Sequence, residues 1–219
     1  MAESYLCTPI RMDTEENYYI VGFKPNATKM TAHHMLIYGC EEPGDVSPTW
    51  NCGKMAVSEP GLENHPVCAS GLQTIYAWGK DATSLKLPEG VGFRVGANSN
   101  IKYLVLQVHY ASVANIPETG DRSGVVLTYT DQPQHKRAGV YFLGTGGMIA
   151  PQTTTYMEAA CRLNTDLDIH PFAFRYVDSL SSVLSSGLSP GQDPHTRPGK
   201  GGFWLESDAG DGLEPDREG

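Results

Sequence analysis

The feature that most constrains the fold is a series of short runs rich in β-branched and aromatic residues, separated by Gly, Pro, Asn and Asp. Residues 17–23, 103–110 and 123–130 are clear examples. No stretch keeps a helical hydrophobic period over three turns. Such runs are typical of antiparallel strands, and half-buried strands need a second sheet to cover their apolar face. The sequence therefore predicts an all-β fold, an antiparallel β-sandwich of jelly-roll-like form.

The composition changes abruptly after Val177. Residues 178–219 are rich in Ser, Gly and Pro and end in the acidic run 206–218. Segments of this composition bury too little apolar surface to offset the entropy of folding. We expect residues 4–177 to form a single N-terminal domain and residues 178–219 to be a disordered tail.

The overall charge excludes one broad class of partner. The formal net charge is -9, whereas a nucleic-acid surface needs clustered Lys and Arg. No apolar run approaches the roughly 18 residues that a membrane-spanning helix requires. The chain also begins without a basic stretch followed by an apolar one, so no signal peptide is visible in it.

The cysteines indicate an oxidising compartment. Cys7, Cys40, Cys52 and Cys68 lie among polar, Gly- and Pro-rich segments, and none belongs to a Cys-x-x-Cys motif. Four such cysteines predict two disulfides and a protein of the secretory pathway. Asn26 opens an Asn-Ala-Thr triplet, which is an acceptor for N-linked glycosylation and points to the same compartment.

Three histidines form a candidate metal site. His33 and His34 stand at the head of an apolar run, and His109 lies within the strand-forming run 104–110. Adjacent strand residues point to opposite faces, so the backbone must bend locally, or one ring must bind through Nδ1, for both to reach one ion. The alternative is a solvent-exposed strand end. A third imidazole in an apolar strand needs a partner, which a metal provides.

Three neutral imidazoles suit Zn, Cu, Fe or Ni, and spacing alone does not choose among these ions. We interpret His33, His34 and His109 as ligands of one metal ion, with copper as the first choice.

Several motifs along the chain occur together in a known family. They are Phe23-Lys24-Pro25, His33-His34-Met35-Leu36 with Gly39-Cys40, Ala77-Trp78, Leu87-Pro88, Gly90-Val91-Gly92-Phe93-Arg94-Val95-Gly96 and Leu106-Gln107-Val108-His109-Tyr110. In this order the chain resembles peptidylglycine α-hydroxylating monooxygenase, the hydroxylating half of the peptide-amidating enzyme. Dopamine β-monooxygenase shares the His-His and Val-His-Tyr elements, but the run from Gly90 to Gly96 is similar to the peptide enzyme.

The resemblance implies a core of two β-sandwich domains, each holding one copper ion, with ascorbate as the reductant. It implies hydroxylation of the α-carbon of the C-terminal glycine in a glycine-extended peptide. His33, His34 and His109 match the ligands of the electron-transfer copper. Arg175 matches the arginine that anchors the substrate carboxylate, a task that suits a guanidinium fork. The disulfide pairs that the resemblance implies are Cys7–Cys52 and Cys40–Cys68.

The chain departs from the family after Arg175. The family continues there with histidines of the second, oxygen-activating copper, whereas this chain reads Tyr-Val-Asp-Ser-Leu-Ser. The later methionine ligand has no counterpart either, because Met157 is the last methionine. We therefore expect one copper ion in this chain rather than two, and no peptide hydroxylation by this chain alone.

Two other functions fit parts of the pattern. The chain is alternatively a non-catalytic, secreted copper-binding β-sandwich that acts as a carrier or as a competitor of the full enzyme. A weaker alternative is a three-histidine zinc hydrolase, for which no general base is obvious near the histidine runs.

Overall fold

The structure is a computed structural model, and it describes residues 4–13, 15–28, 30–53, 63–79, 82–110, 116, 120–143, 153, 156, 158–163, 165–177, 186–187 and 200–208. The described residues form strands and turns without a helix, which confirms the all-β prediction. Accordingly, within these ranges nothing helical has the length and apolarity that crossing a bilayer requires.

The strands in chain order are β1 (Ser4–Arg11), β2 (Asn17–Asn26), β3 (His34–Cys40), β4 (Glu42–Pro43), β5 (Trp50–Asn51), β6 (Cys68–Ser70), β7 (Gln73–Gly79), β8 (Leu85–Lys86), β9 (Val91–Gly96), β10 (Tyr103–Tyr110), β11 (Gly124–Thr130), β12 (Lys136–Leu143), β13 (Ile169–Val177), β14 (Ser186–Gly187) and β15 (Lys200–Asp208).

The strands of the described ranges build two main sheets. The first has the order β5-β1-β10-β3-β7 and is antiparallel throughout. The second has the order β11-β2-β9-β12-β15-β13-β14, with β8 paired to β2. Its neighbours are antiparallel except for β9 and β12, which run parallel. Strands β4 and β6 form a separate small ribbon.

The main core lies between the two sheets. Alternate residues of β3 and β10 face it, among them Met35, Ile37 and Val108, and all three are buried. Phe23 of β2 stacks on Tyr76 of β7 with ring centroids 4.5 Å apart. Burying each large apolar side chain stabilises the fold by about 1.5–3 kcal/mol. The alternation thus leaves the other face of β3 and β10 available for different chemistry.

That other face of the first sheet carries a second, smaller core, formed with residues from 41–53 and 63–72, the described parts of the disulfide-tied segment. Two disulfides fasten the segment: Cys7–Cys52 joins β1 to the residue after β5, and Cys40–Cys68 joins β3 to β6. Trp50 is 1% exposed and belongs to the same buried cluster as the four cysteines. Both cross-links reduce the entropy of the unfolded chain, so a loop-rich segment is held against the sheet.

The structure differs from the expected disorder of residues 178–219 at two places, of which Ser186–Gly187, the strand β14 that pairs with β13, is the shorter. Lys200–Asp208 forms β15, which lies between β12 and β13 and pairs with both. The sequence at 203–205 is Phe-Trp-Leu, a short run of strand formers without clear alternation. A run this short is recognisable as a strand only from its two partners. The domain limits 4–177 and 178–219 remain a prediction.

Candidate metal centre

Strand register places two of the three histidines side by side. Strand β10 lies between β1 and β3, and residues directly opposite one another share a face of the sheet. His109 is opposite His34 of β3 on one side and Tyr5 of β1 on the other. The three side chains therefore form a row on the face of the first sheet that points away from the main core. The His34 and His109 ring centroids are 4.5 Å apart.

The third histidine joins the row because the backbone bends just before β3. Regular pairing begins at His34, and His33 lies at a bend outside the strand. A turn precedes it, in which the Ala32 N–H donates to the Thr28 carbonyl at 3.0 Å. The His33 N–H then donates to the His109 carbonyl at 2.8 Å. This bend removes the strict alternation of a strand, so both neighbouring rings reach the same side.

The three imidazoles converge through their Nδ1 atoms. Nδ1 of His33 lies 3.4 Å from Nδ1 of His34 and 3.2 Å from Nδ1 of His109. The Nδ1 atoms of His34 and His109 are 3.2 Å apart. Each Nδ1 is either a donor or an acceptor, so a closed ring of three must contain at least one donor–donor or acceptor–acceptor contact. One cation facing three lone pairs removes this conflict. The cluster therefore has the spacing and the donor set of a three-imidazole metal site.

The surroundings keep a ligand lone pair available. His109 is 4% exposed, and the His34 ring is largely buried. Burial, with smaller contributions from the neighbouring His109 and His33, lowers the pKa of His34 from 6.5 to about 3. His34 is consequently neutral at pH 7, which is the form that binds a metal.

The same pKa predicts how the metal-free protein responds to acid. Between pH 6.5 and about 3, the unfolded chain binds a proton at His34 and the folded chain does not, so stability falls as the pH falls. From pH 7.5 to 5.0 we expect this group to lower the free energy of unfolding by about 2 kcal/mol. Urea unfolding of metal-free wild type and His34→Gln at both pH values measures the difference. An equal pH response in the two proteins would contradict this prediction.

Two further side chains lie on the face that carries the histidines, and Tyr5 was not identified from the sequence. The Tyr5 ring lies flat on the His109 ring, with centroids 4.0 Å apart and an interplanar angle of 5°. Gln107 is buried on the same face as His109, and its Nε2 donates to Cys52 Sγ at 3.4 Å. Both roles depend on which strands are neighbours and in what register, which a single sequence does not reveal.

The other predicted site residues lie elsewhere. Arg175 belongs to β13 in the second sheet, where its backbone is opposite Gly202, and its role stays a prediction. Asn26 ends β2 and is exposed, and its Nδ2 donates to the Arg122 carbonyl at 3.1 Å. The two cysteine pairs are those that the resemblance implies.

Comparisons with known proteins agree with this site. Residues 1–117 match the family model described as copper type II ascorbate-dependent monooxygenase, N-terminal domain. Peptidyl-glycine alpha-amidating monooxygenase A of Xenopus laevis is 36% identical over 188 residues, covering 84% of this chain and 19% of that protein. The Rattus norvegicus peptidylglycine alpha-amidating monooxygenase is 32% identical, with coverages of 84% and 18%.

Dopamine beta-hydroxylase of Rattus norvegicus is 31% identical over 129 residues, covering 57% of this chain and 20% of that protein. The chain thus spans about a fifth of the length of the curated relatives that it matches.

Proposed function

Because the chain belongs to the copper type II ascorbate-dependent monooxygenase family through the N-terminal domain of that family, we propose that it is the electron-transfer half of a peptidylglycine α-hydroxylating monooxygenase. His33, His34 and His109 would hold one copper ion. When bound there, copper supplies one-electron redox chemistry, with ascorbate as the reductant. The observation that carries the proposal is the triangle of three Nδ1 atoms, 3.2–3.4 Å apart.

The residues around the triangle support this role by holding the ligands in place. His34 of β3 and His109 of β10 are fixed by the register of their strands. His33 is tied to β10 by the hydrogen bond from its backbone N–H to the His109 carbonyl. Tyr5 covers one face of the His109 ring and so limits both the rotation of the imidazole and the access of water from that side. Rigid ligands in a fixed arrangement reduce the structural change that accompanies a change of charge.

The peptide side of the reaction rests on the family and on Arg175. A C-terminal carboxylate is the group that a guanidinium recognises in bidentate fashion, and Arg175 is our proposed anchor for a glycine-extended peptide. Its strand belongs to the other sheet, which fits a substrate that is bound away from the electron-transfer site. The relatives named for peptide amidation favour this substrate class over a catecholamine.

We also propose that the chain passes through the secretory pathway. Its two buried disulfides need an oxidising compartment to form. The exposed Asn26 is then available for N-linked glycosylation.

Anaerobic electron paramagnetic resonance of the copper-loaded chain tests the proposal. We expect about one Cu(II) per chain and complete loss of its signal on addition of ascorbate, because a three-imidazole site accommodates both oxidation states. A signal that persists in excess ascorbate would contradict electron transfer and favour a copper carrier. Oxygen consumption is measured in parallel, with ascorbate and a glycine-extended peptide. Peptide-dependent consumption by the chain alone would contradict the need for a second copper site.

A further inference from the structure

The ring that covers His109 is itself confined by a glycine. A Cβ atom added at Gly53 would lie 2.6 Å from Cδ2, 2.8 Å from Cγ and 2.9 Å from Cβ of Tyr5. Real Cβ atoms essentially never approach other heavy atoms so closely, so either Gly53 or the Tyr5 side chain would have to move. The φ angle of Gly53 is not in the positive range that favours glycine. Alanine there would thus act through this contact rather than through backbone strain.

The backbone of Gly53 has little freedom to retreat. Its neighbour Cys52 is bonded to Cys7 of β1. The Cys52 N–H donates to the Tyr5 carbonyl at 3.0 Å. The Gly53 N–H donates to Oδ1 of Asn51 at 3.2 Å, and the Asn51 side chain is buried. The disulfide and the first hydrogen bond hold this segment against β1, and the second hydrogen bond fixes the segment internally, so the Tyr5 side chain is the part that must move.

A displaced Tyr5 ring acts directly on a metal ligand. It is stacked on His109 at 4.0 Å, and its centroid is also 6.0 Å from that of His34. His109 is buried, so a shift of the ring stacked on it changes the packing that holds the imidazole. Changes to groups that orient metal ligands commonly cost 10–100-fold in metal affinity.

From these contacts we propose that Gly53 is a positioning residue of the copper site: its missing side chain lets Tyr5 lie flat on His109 and hold that imidazole in the triangle. The inference rests on the proposed copper function. It assigns a role to a residue that lies on the disulfide-tied segment and acts on the histidines through Tyr5.

A double-mutant cycle tests the inference, with Gly53→Ala, Tyr5→Ala and the double variant in the full chain. Cu(I) affinity is measured by competition with a chromogenic chelator, and the Cu(II) site by electron paramagnetic resonance. We expect Gly53→Ala to weaken copper binding at least tenfold and to change the copper hyperfine splitting. In the Tyr5→Ala background the same substitution should have a much smaller effect, because the ring that it displaces is gone and only the contact with the Cβ atom of residue 5 remains.

Gly124→Ala is the matched control, since a Cβ at Gly124 meets nothing within 4 Å. Metal-free melting midpoints are recorded for every variant; where Gly53→Ala also lowers the midpoint, the Tyr5→Ala background decides. Wild-type affinity and spectrum in Gly53→Ala would overturn the inference while leaving the copper function intact. An equal loss in both backgrounds would also overturn it. Absence of copper binding by the wild type would overturn the proposed function and the inference together.

Discussion

Replacing His109 by alanine is expected to abolish stoichiometric copper binding. The wild type should retain about one copper ion per chain after loading and removal of excess metal, and His109→Ala should retain close to none. His109 stands at the centre of the row and contacts both other imidazoles, with Nδ1–Nδ1 distances of 3.2 Å to each. The loss should exceed the 10–100-fold that typically follows changes to groups behind a ligand. Elemental analysis and chelator competition measure it.

Copper binding should also change the thermal stability of the protein. A metal that binds only the folded state raises the free energy of unfolding by about 2.7 kcal/mol when its free concentration is a hundred times Kd. Copper should therefore raise the melting midpoint of the wild type and leave that of His109→Ala unchanged. Because His109 is buried, His109→Gln is measured as well, since glutamine fills more of the same space and keeps a polar group.

His170→Ala is the matched control for this experiment. His170 is an exposed residue of β13, in the sheet that lacks the histidine cluster. We expect this variant to bind copper as the wild type does. If removing His170 reduces copper as much as removing His109, or if His109→Ala keeps its copper, the three-imidazole site is wrong.

The sequence predicted the fold class because that information is local. Alternation over residues 103–110 is visible in any window of that length, and it also separates the core-facing Val108 from the face that carries His109. The histidine cluster could be predicted for a similar reason, because a polar imidazole in an apolar strand needs a partner. Residue types and burial were sufficient for both interpretations.

What the sequence did not predict depends on contacts between distant segments. Tyr5 covers His109 only because β1 pairs with β10 in this register, and a shift by one residue would turn Tyr5 to the other face. The approach of Gly53 to Tyr5 depends in turn on how the disulfide-tied segment returns to β1. The strand Lys200–Asp208 was not predicted for the same reason, since its pairing with β12 and β13 defines it.

Removing the Cys7–Cys52 disulfide is expected to cost about 4 kcal/mol of unfolding free energy, because the bond closes a loop with a sequence separation of 45. That is a large part of the 5–15 kcal/mol typical of a domain. The Cys7→Ala/Cys52→Ala variant, prepared with Cys161→Ala to remove the exposed thiol, should show this in urea unfolding. It should also bind copper about tenfold more weakly, because Cys52 adjoins Gly53 and is hydrogen-bonded to Tyr5.

The other disulfide provides the control that separates stability from site geometry. Cys40–Cys68 has a sequence separation of 28 and should contribute about 3.5 kcal/mol. Cys40 lies six residues along β3 from His34, roughly 20 Å away in an extended strand. Cys40→Ala/Cys68→Ala should therefore destabilise the chain almost as much while leaving copper affinity unchanged. Equal losses of affinity in the two variants would mean that copper binding follows global stability alone, because, of the two disulfides, Cys7–Cys52 is the one that joins the strand of Tyr5 to the residue next to Gly53.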